Sequence, residues 1–182
     1  MLDNSNDTRL FYQVEFLHDC LDDYLDQVLA LLGQEWPKFN RKTRLESLKK
    51  SNNNFPINLI LVNEHKQCVA HCRMSRVDSE LEGVLVESVI VDKNYRGKGY
   101  GKAIMMEAEH IAIEKRMSSI YLSTFKREFY KKLGYRECHA VTSLSSNADI
   151  LSKTQLRALL GVFGGHHQIN NSDRVWMSKR LG

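Results

Sequence analysis

The chain has 182 residues, 42% of them hydrophobic and 26% charged, which is enough apolar material for the core of one domain and excludes a disordered composition. Its first residues are polar and acidic, unlike a signal peptide, and no apolar run approaches the length of a membrane span. The four cysteines lack the spacing of a zinc site. We therefore expect a single cytosolic domain over residues 1–182 that binds neither a membrane nor a metal.

The net charge of +4 is unevenly distributed along the chain. The first 26 residues hold seven acids and one arginine, whereas the segment from Trp36 to Lys50 holds six cations and one acid. A basic segment favours an anionic partner, although a solvated helix face would have the same composition. No nucleic-acid reader motif accompanies these charges, so we expect no nucleic-acid binding.

Hydrophobic spacing predicts a mixed α/β fold with elements in the order β-α-α-β-β-β-α-β-α-β-β. The predicted strands are residues 10–16, 58–62, 68–74, 84–91, 119–124, 135–142 and 174–181. The predicted helices are residues 21–32, 43–50 and 99–116, with a short helix around Tyr130. Pro37 ends the first helix, and residues 63–67 connect two strands as a hairpin.

The segment between the last two predicted strands, residues 144–173, has no regular pattern throughout. Residues 145–147 and 161–171 are turn-like, and a helix is possible over 153–160. A connection of this length inside a domain is typical of a lid, a binding loop or a disordered insertion. The adjacent His166 and His167 have no other ligand-type residues near them in the sequence, which favours solvated surface over a metal site.

A glycine-rich turn follows the apolar run that ends at Val91. Gly97, Gly99 and Gly101 alternate just before a predicted helix, where backbone N–H groups and the helix dipole would together hold a pyrophosphate. The spacing excludes the dinucleotide fingerprint, since Lys102 stands where the third glycine is required. It also excludes a phosphate-binding Walker loop, because no Ser or Thr follows either Gly-Lys pair.

Two motifs resemble those of the GNAT acetyltransferases. Arg96-Gly97-Lys98-Gly99-Tyr100-Gly101 is similar to the R/Q-x-x-G-x-G/A signature of that family, and Phe129-Tyr130-Lys131-Lys132-Leu133-Gly134-Tyr135 resembles its second motif, F-Y-x-x-x-G-[FY]. The resemblance implies a GNAT fold, in which helices flank a mixed, mostly antiparallel central sheet. It also implies acetyl-coenzyme A (acetyl-CoA) as co-substrate.

The resemblance assigns coenzyme binding to the end of one strand, the glycine turn and the second motif. These residues are Val89, Ile90, Val91, Arg96, Gly97, Lys98, Gly99, Tyr100, Gly101, Lys102, Thr124, Phe129 and Tyr130. It further implies that a backbone N–H near Val89 to Val91 stabilises the negative charge that develops on the acetyl oxygen. Tyr130 is then the general acid for the departing thiolate, the alternative being a tyrosine that only packs by its ring.

Two residues are candidates for the general base. Glu87 interrupts an otherwise apolar strand, and a buried carboxylate is costly unless it has a partner or a task. An ion-paired strand glutamate would give the same pattern. His71, on the neighbouring predicted strand, has a suitable pKa for relay through water, but it could equally be a hydrogen-bonded core residue.

Other segments resemble the actin-specific amino-terminal acetyltransferases within this superfamily. These segments are Trp36-Pro37-Lys38 with Arg41, Arg44-Leu45 and Ser47-Leu48, then residues 71–76 and 86–91. The resemblance implies an acidic protein N-terminus as substrate, with actin, or an actin–profilin complex, as partner. The implied substrate-binding residues are Trp36, Lys38, Arg41, Arg44, Arg73 and Arg174.

Alternatives remain at this point. Trp36 could be a core anchor at a helix end. A small-molecule amine acetyltransferase would share both GNAT motifs, although a cationic substrate prefers an acidic cleft. A noncatalytic acyl-CoA-binding regulator would keep the glycine turn but would not need Tyr130.

Overall fold

One seven-stranded sheet organises the computed structural model, which describes residues 10–77, 82–141 and 174–182. The strands are β1 (Gln13–Phe16), β2 (Ile57–Val62), β3 (Cys68–Arg76), β4 (Gly83–Val91), β5 (Ser119–Thr124), β6 (Arg136–Glu137) and β7 (Val175–Arg180). Their spatial order is β1-β2-β3-β4-β5-β7-β6, and every neighbouring pair is antiparallel except β4 and β5. The described helices are α1 (Leu21–Glu35), α2 (Arg41–Lys49), α3 (Tyr100–Glu114) and α4 (Arg127–Lys132).

The predicted order of helices and strands is confirmed, and most boundaries agree within two or three residues. The largest difference is the strand predicted over residues 135–142, of which only Arg136–Glu137 pairs with β7. After Glu137, Cys138 N donates one further hydrogen bond to Trp176 O, and the next two residues, His139 and Ala140, are exposed. The predicted segment 144–173 lies wholly outside the described residues.

The two faces of the sheet carry separate apolar clusters. Helix α3 packs one side, where the predicted inward positions Ile104, Ala108 and Ile111 are buried against strand residues such as Leu59 and Leu122. The second cluster packs α1 and α2 against the opposite side. It contains the α1 residues Val28, Leu29, Leu31 and Leu32. The sheet therefore has apolar packing on both faces.

Local chemistry sets where the helices begin and end. Pro37 restricts Trp36 to a non-helical conformation (φ −125°, ψ 66°), which ends α1. The Asn40 side chain accepts hydrogen bonds from the N–H groups of Lys42 and Thr43, at 2.8 and 3.2 Å, and so caps α2. At the start of α3, Gly99 has φ +97°, a left-handed conformation that glycine adopts without steric cost.

None of the four cysteines is in a disulfide; Cys68 and Cys72 are buried, and Cys20 and Cys138 are half-buried. Within the three described ranges, no helix combines the length and apolar character that crossing a membrane requires.

The packing of α3 against the sheet predicts a large stability difference between two isoleucines on that helix. Ile104→Ala removes a fully buried side chain and should lower the free energy of unfolding by about 2–5 kcal/mol. Ile113→Ala, on the exposed face, should change it by less than about 0.5 kcal/mol. Urea unfolding of both variants measures the difference, and similar losses would contradict the assigned faces of α3.

Candidate active site

A gap opens in the middle of the sheet because β4 and β5 separate. The two strands pair only from Gly83 to Leu85 on β4, opposite Ser119 to Tyr121 on β5. Beyond this point β4 continues to Val91 without β5 as a neighbour. The carboxyl end of β4 therefore exposes one backbone edge to a space that a ligand can occupy.

A β-bulge lies where β4 begins to border the gap. Arg73 pairs with Glu87, whereas His71 pairs with Ile90, so Ser88 and Val89 together stand opposite one residue of β3. Ser88 has φ +52°, an uncommon left-handed conformation for a residue with a side chain. Before the bulge, Val84 and Val86 of β4 face α3. The bulge shifts the alternation of side chains by one residue, so Val89 and Val91 pack towards the same cluster after it.

Backbone alternation then determines which N–H groups point into the gap. Asp92 N donates to Val69 O at 2.9 Å, so the residue before it, Val91, directs its N–H away from β3. Two residues earlier, Val89 does the same by the alternation of an antiparallel ladder. The gap-facing donors are therefore Val89 and Val91, within the predicted Val89 to Val91 range, while Ile90 is directed to β3.

The predicted glycine turn lies at the end of this gap, between β4 and α3. Gly97 and Gly99 both have left-handed conformations, with φ +77° and +97°. A Cβ added to Gly97 would meet no atom within 4 Å, so open space lies in front of the turn. Gly101 is more confined, because a Cβ there would lie 3.3 Å from Phe129 Cζ. An open turn at the N-terminus of a fifteen-residue helix fits a pyrophosphate.

Charged residues of the turn have distinct positions. Arg96 donates through Nε to Val91 O and through Nη2 to Glu35, both at 3.0 Å, and thus ties the end of β4 to α1. Lys98 is exposed, with its ammonium 5.1 Å from the centre of the Tyr95 ring. Lys102 is exposed in the first turn of α3, where it can neutralise a bound phosphate. Tyr100 is buried and contributes its ring to the core.

Tyr130 lies on the face of the sheet that α3 covers. Its ring is buried and makes edge-on contacts with the rings of Phe129 and Tyr135, whose centres are 4.9 and 5.6 Å away. Burial raises the pKa of its phenol, and the neighbouring Cys72 adds to the effect. Tyr130 is therefore a neutral hydroxyl at physiological pH and can donate a proton. Thr124 ends β5 nearby, with its hydroxyl accepting a hydrogen bond from Lys126 N at 2.8 Å.

These features are those of an acyl-CoA site, and residues 20–135 match the acetyltransferase (GNAT) family. The chain belongs to this family. It is similar to N-alpha-acetyltransferase 80 of Mus musculus, with 32% identity over 146 residues that make up 76% of this chain and 46% of the mouse protein. The acetyltransferase thus spans about half the length of that relative.

Solved structures share the fold at low sequence identity. The ribosomal-protein-S18-alanine N-acetyltransferase from Escherichia coli superposes with a TM-score of 0.60 at 16% identity, covering 94% of this chain and 95% of that one. A GNAT family N-acetyltransferase from Escherichia coli, solved in complex with CoA, gives a TM-score of 0.60 at 15% identity, covering 95% and 83% of the two chains. The single α/β GNAT fold predicted from the motifs is confirmed.

On the opposite face of the acetyltransferase sheet, Glu87 lies between two arginines. It stands directly across from Arg73 on β3, and the charges of both Arg73 and Arg174 act on it. Burial raises the pKa of the Glu87 carboxyl, while the two arginines and the Ser75 hydroxyl oppose the shift. Glu87 is thus a buried carboxyl under the influence of two arginine charges, and its role as general base stays a prediction.

The two arginines are held by neutral groups as well as by Glu87. Arg73 is buried and donates through Nη1 to the backbone oxygen and the hydroxyl of Ser47 on α2, at 3.1 and 2.9 Å. Arg174, at the start of β7, donates through Nε to Ser123 Oγ at 2.7 Å. Since two guanidinium groups face one carboxylate, the cluster has an excess of positive charge.

The predicted base His71 is fully buried beneath this cluster. Its Nδ1 lies 3.2 Å from Ser88 O and its Nε2 lies 3.0 Å from Asn58 Oδ1. Burial lowers the pKa of His71 to about 4, and the charges of Arg73 and Arg44 lower it further. Both ring nitrogens therefore have partners inside the protein, which is the hydrogen-bonded core alternative stated above.

The remaining predicted substrate residues lie on α1, α2 and the turn between them. Lys38 and Arg41 are exposed, and Arg41 pairs with Asp26 at 3.0 Å. Arg44 is buried instead: its Nη2 donates to Trp36 O at 2.9 Å and its guanidinium lies over the Phe39 ring. Trp36 packs against the α1 and α2 cluster, as expected for a core anchor. The structure thus groups Arg73 and Arg174 with Glu87, and Arg44 with Trp36.

Three residues that support the candidate site were given no role from the sequence. Asn58 is fully buried beside His71, Ser88 forms the bulge, and Ser47 holds Arg73. A signal was available for two of them, since Asn58 and Ser88 are polar residues within otherwise apolar strands. Nothing comparable distinguishes Ser47 on its mostly polar helix. Among the described residues, no group of three or more His, Cys, Asp or Glu side chains could hold a metal ion.

The buried His71 predicts a specific pH dependence of stability. The unfolded chain binds a proton at a pKa of about 6.5, whereas the folded chain does so only near 4, so stability falls as the pH drops from 7 towards 4. By pH 5.5 this loss is on the order of 1 kcal/mol. Gln at this position does not titrate, and urea unfolding of His71→Gln between pH 7.5 and 5.5 should lack that part of the slope. Parallel stability curves for the two proteins would contradict the assignment.

Proposed function

We propose that this acetyltransferase transfers the acetyl group of acetyl-CoA to the free α-amino group of proteins with acidic N-termini, with processed actin as the candidate substrate. The observation that carries the proposal is the arginine-rich cluster of Arg73 and Arg174 around Glu87. The 32% identity to a mouse N-alpha-acetyltransferase supports α-amino groups as the acceptor class. The actin assignment rests on the residue resemblance described above and on charge.

The charge of the cleft favours an acidic acceptor. Arg73 and Arg174 are partly desolvated, which strengthens their attraction for a carboxylate compared with that of a fully solvated cation. Lys38 and Arg41 extend positive charge over the exposed turn after α1. The same residues would repel a basic peptide, so the charge of the cleft both favours acidic peptides and disfavours basic ones. An actin N-terminus, alone or presented by profilin, is a cytosolic partner of this chemistry.

The residues of the open turn suit acetyl-CoA. Gly97, Gly99 and the first N–H groups of α3 would hold its pyrophosphate, with Lys98 and Lys102 adding positive charge. The coenzyme supplies an activated acetyl group when it is bound. The gap between β4 and β5 leads from that turn to Val89 and Val91, whose N–H groups can stabilise negative charge on the acetyl oxygen.

Proton transfers are assigned to residues on the two faces of the sheet. An α-amino group has a pKa near 8, so a fraction is neutral at physiological pH and a strong base is unnecessary. Glu87, with its raised pKa, can accept the proton that the amine loses, directly or through water. Tyr130, which its burial keeps protonated, can donate to the departing sulfur.

Acetyl transfer to peptides beginning Asp-Asp-Asp, Ser-Gly-Arg and Met-Leu tests the proposed substrate class. We expect kcat/KM for the acidic peptide to exceed the others by at least about tenfold, because electrostatic complementarity decides which peptide binds. Tyr130→Phe should lower kcat by about 100-fold or more, while Tyr24→Phe, a half-buried tyrosine on α1, should leave it unchanged. Equal rates on all three peptides would refute acidic specificity, and an active Tyr130→Phe would remove the assigned acid.

Two substitutions distinguish a specific contact between Arg174 and the substrate from the effect of the protein's net charge. Arg174→Gln should raise KM for the Asp-Asp-Asp peptide by about tenfold or more, since it removes a charge-assisted contact. Arg136→Gln removes the same charge from the exposed strand β6 and should change KM by less than about twofold. Steady-state kinetics at one ionic strength gives both values. Equal effects of the two substitutions would show that only net charge matters.

A further inference from the structure

We propose that His71 and Asn58 are positioning residues for acetyl transfer, whose buried side chains hold the Ser88 bulge so that Val89 N–H points into the gap. We call this pair the bulge clamp. The inference concerns the acyl transfer of the family and is independent of which amine is acetylated.

The bulge requires something to hold it. Ser88 has φ +52°, and a non-glycine residue in this region costs about 1–3 kcal/mol unless surrounding contacts determine it. The neighbouring strand β5 cannot supply those contacts, because it has separated from β4 after Leu85. The clamp is on the other side: His71 Nδ1 lies 3.2 Å from Ser88 O.

The position of one carbonyl decides the direction of the next N–H. The Ser88 oxygen and the Val89 N–H belong to the same trans peptide unit, in which they point in opposite directions. While the Ser88 oxygen is held at His71, on the β3 side, the Val89 N–H is directed to the β5 side, which is the gap. The clamp thereby sets the direction of the Val89 N–H without contacting it.

The second half of the clamp keeps the imidazole ring in place. The Asn58 side-chain amide lies 3.0 Å from His71 Nε2, and the backbone N–H of Asn58 donates to Ser51 Oγ at 2.9 Å. Because Nδ1 donates to Ser88 O, Nε2 of the neutral ring is an acceptor. The amide therefore meets it turned so that Nδ2, which has no other partner among the described residues, donates the hydrogen bond. His71, Asn58 and Ser51 are all buried, so water does not compete for these contacts. The ring is therefore fixed from both sides, and a displacement of Ser88 would leave buried polar groups without partners.

The test measures CoA release from acetyl-CoA, with the Asp-Asp-Asp peptide and with no acceptor. His71→Phe fills the site but cannot bond to Ser88 O, and it should lower kcat about 10- to 100-fold in both reactions while KM for acetyl-CoA stays within about threefold. Val69→Ala is the matched control, a fully buried residue of β3 whose side chain packs in the opposite cluster; its kcat per folded molecule should be that of the wild type.

A second substitution distinguishes positioning from a general loss of stability. Glycine adopts φ near +52° without steric cost, so adding Ser88→Gly to His71→Phe should raise kcat by about fivefold or more. A folded His71→Phe that keeps wild-type kcat, an equal loss in Val69→Ala, or no recovery in the double variant would each overturn the proposal. If the wild type ignores the acidic peptide but turns over acetyl-CoA without it, the substrate proposal fails while the clamp is still tested.

Discussion

The separation of β4 from β5 after Leu85 is the constraint on which the rest of this acetyltransferase depends. Two parallel strands that stayed paired to their ends would satisfy each other's backbone groups and leave no room for a ligand. Because pairing stops after three residues, the last part of β4 keeps one hydrogen-bonding edge unused inside the molecule. The glycine turn and the N-terminus of α3 lie at the end of that edge.

Polar chemistry on the other face of the sheet complements that space. Arg73, Glu87 and Arg174 lie on the α1 and α2 side, so coenzyme and acceptor can approach the acetyl group from different faces. A buried cluster with one carboxylate and two guanidinium groups is costly to desolvate, and hydrogen bonds to Ser47 and Ser123 offset part of that cost. The proposal of an acidic acceptor rests on this excess of positive charge.

Much of the fold could be predicted from local pattern. The apolar spacing of α3, the alternation of the strands and the capping chemistry at Pro37 and Gly99 act over a few residues, so a single sequence reports them well. The glycine motif and the motif around Tyr130 predicted the family for the same reason. The strand predicted over residues 135–142 was too long, because strand length depends on a partner, and β7 offers β6 only two paired residues.

The roles of the arginines needed the tertiary structure. Sequence placed Arg44 and Arg73 in one class of substrate cations, but the fold buries Arg44 at the Trp36 carbonyl and sets Arg73 against Glu87. The sequence by itself determined the order of elements, the phosphate-binding turn and the family, since each depends on neighbours in the chain. Only the tertiary structure decided the bulge at Ser88, the clamp beneath it and the pairing of Arg73 with Glu87. These contacts join residues 13 or more positions apart, on strands whose register cannot be deduced from their composition.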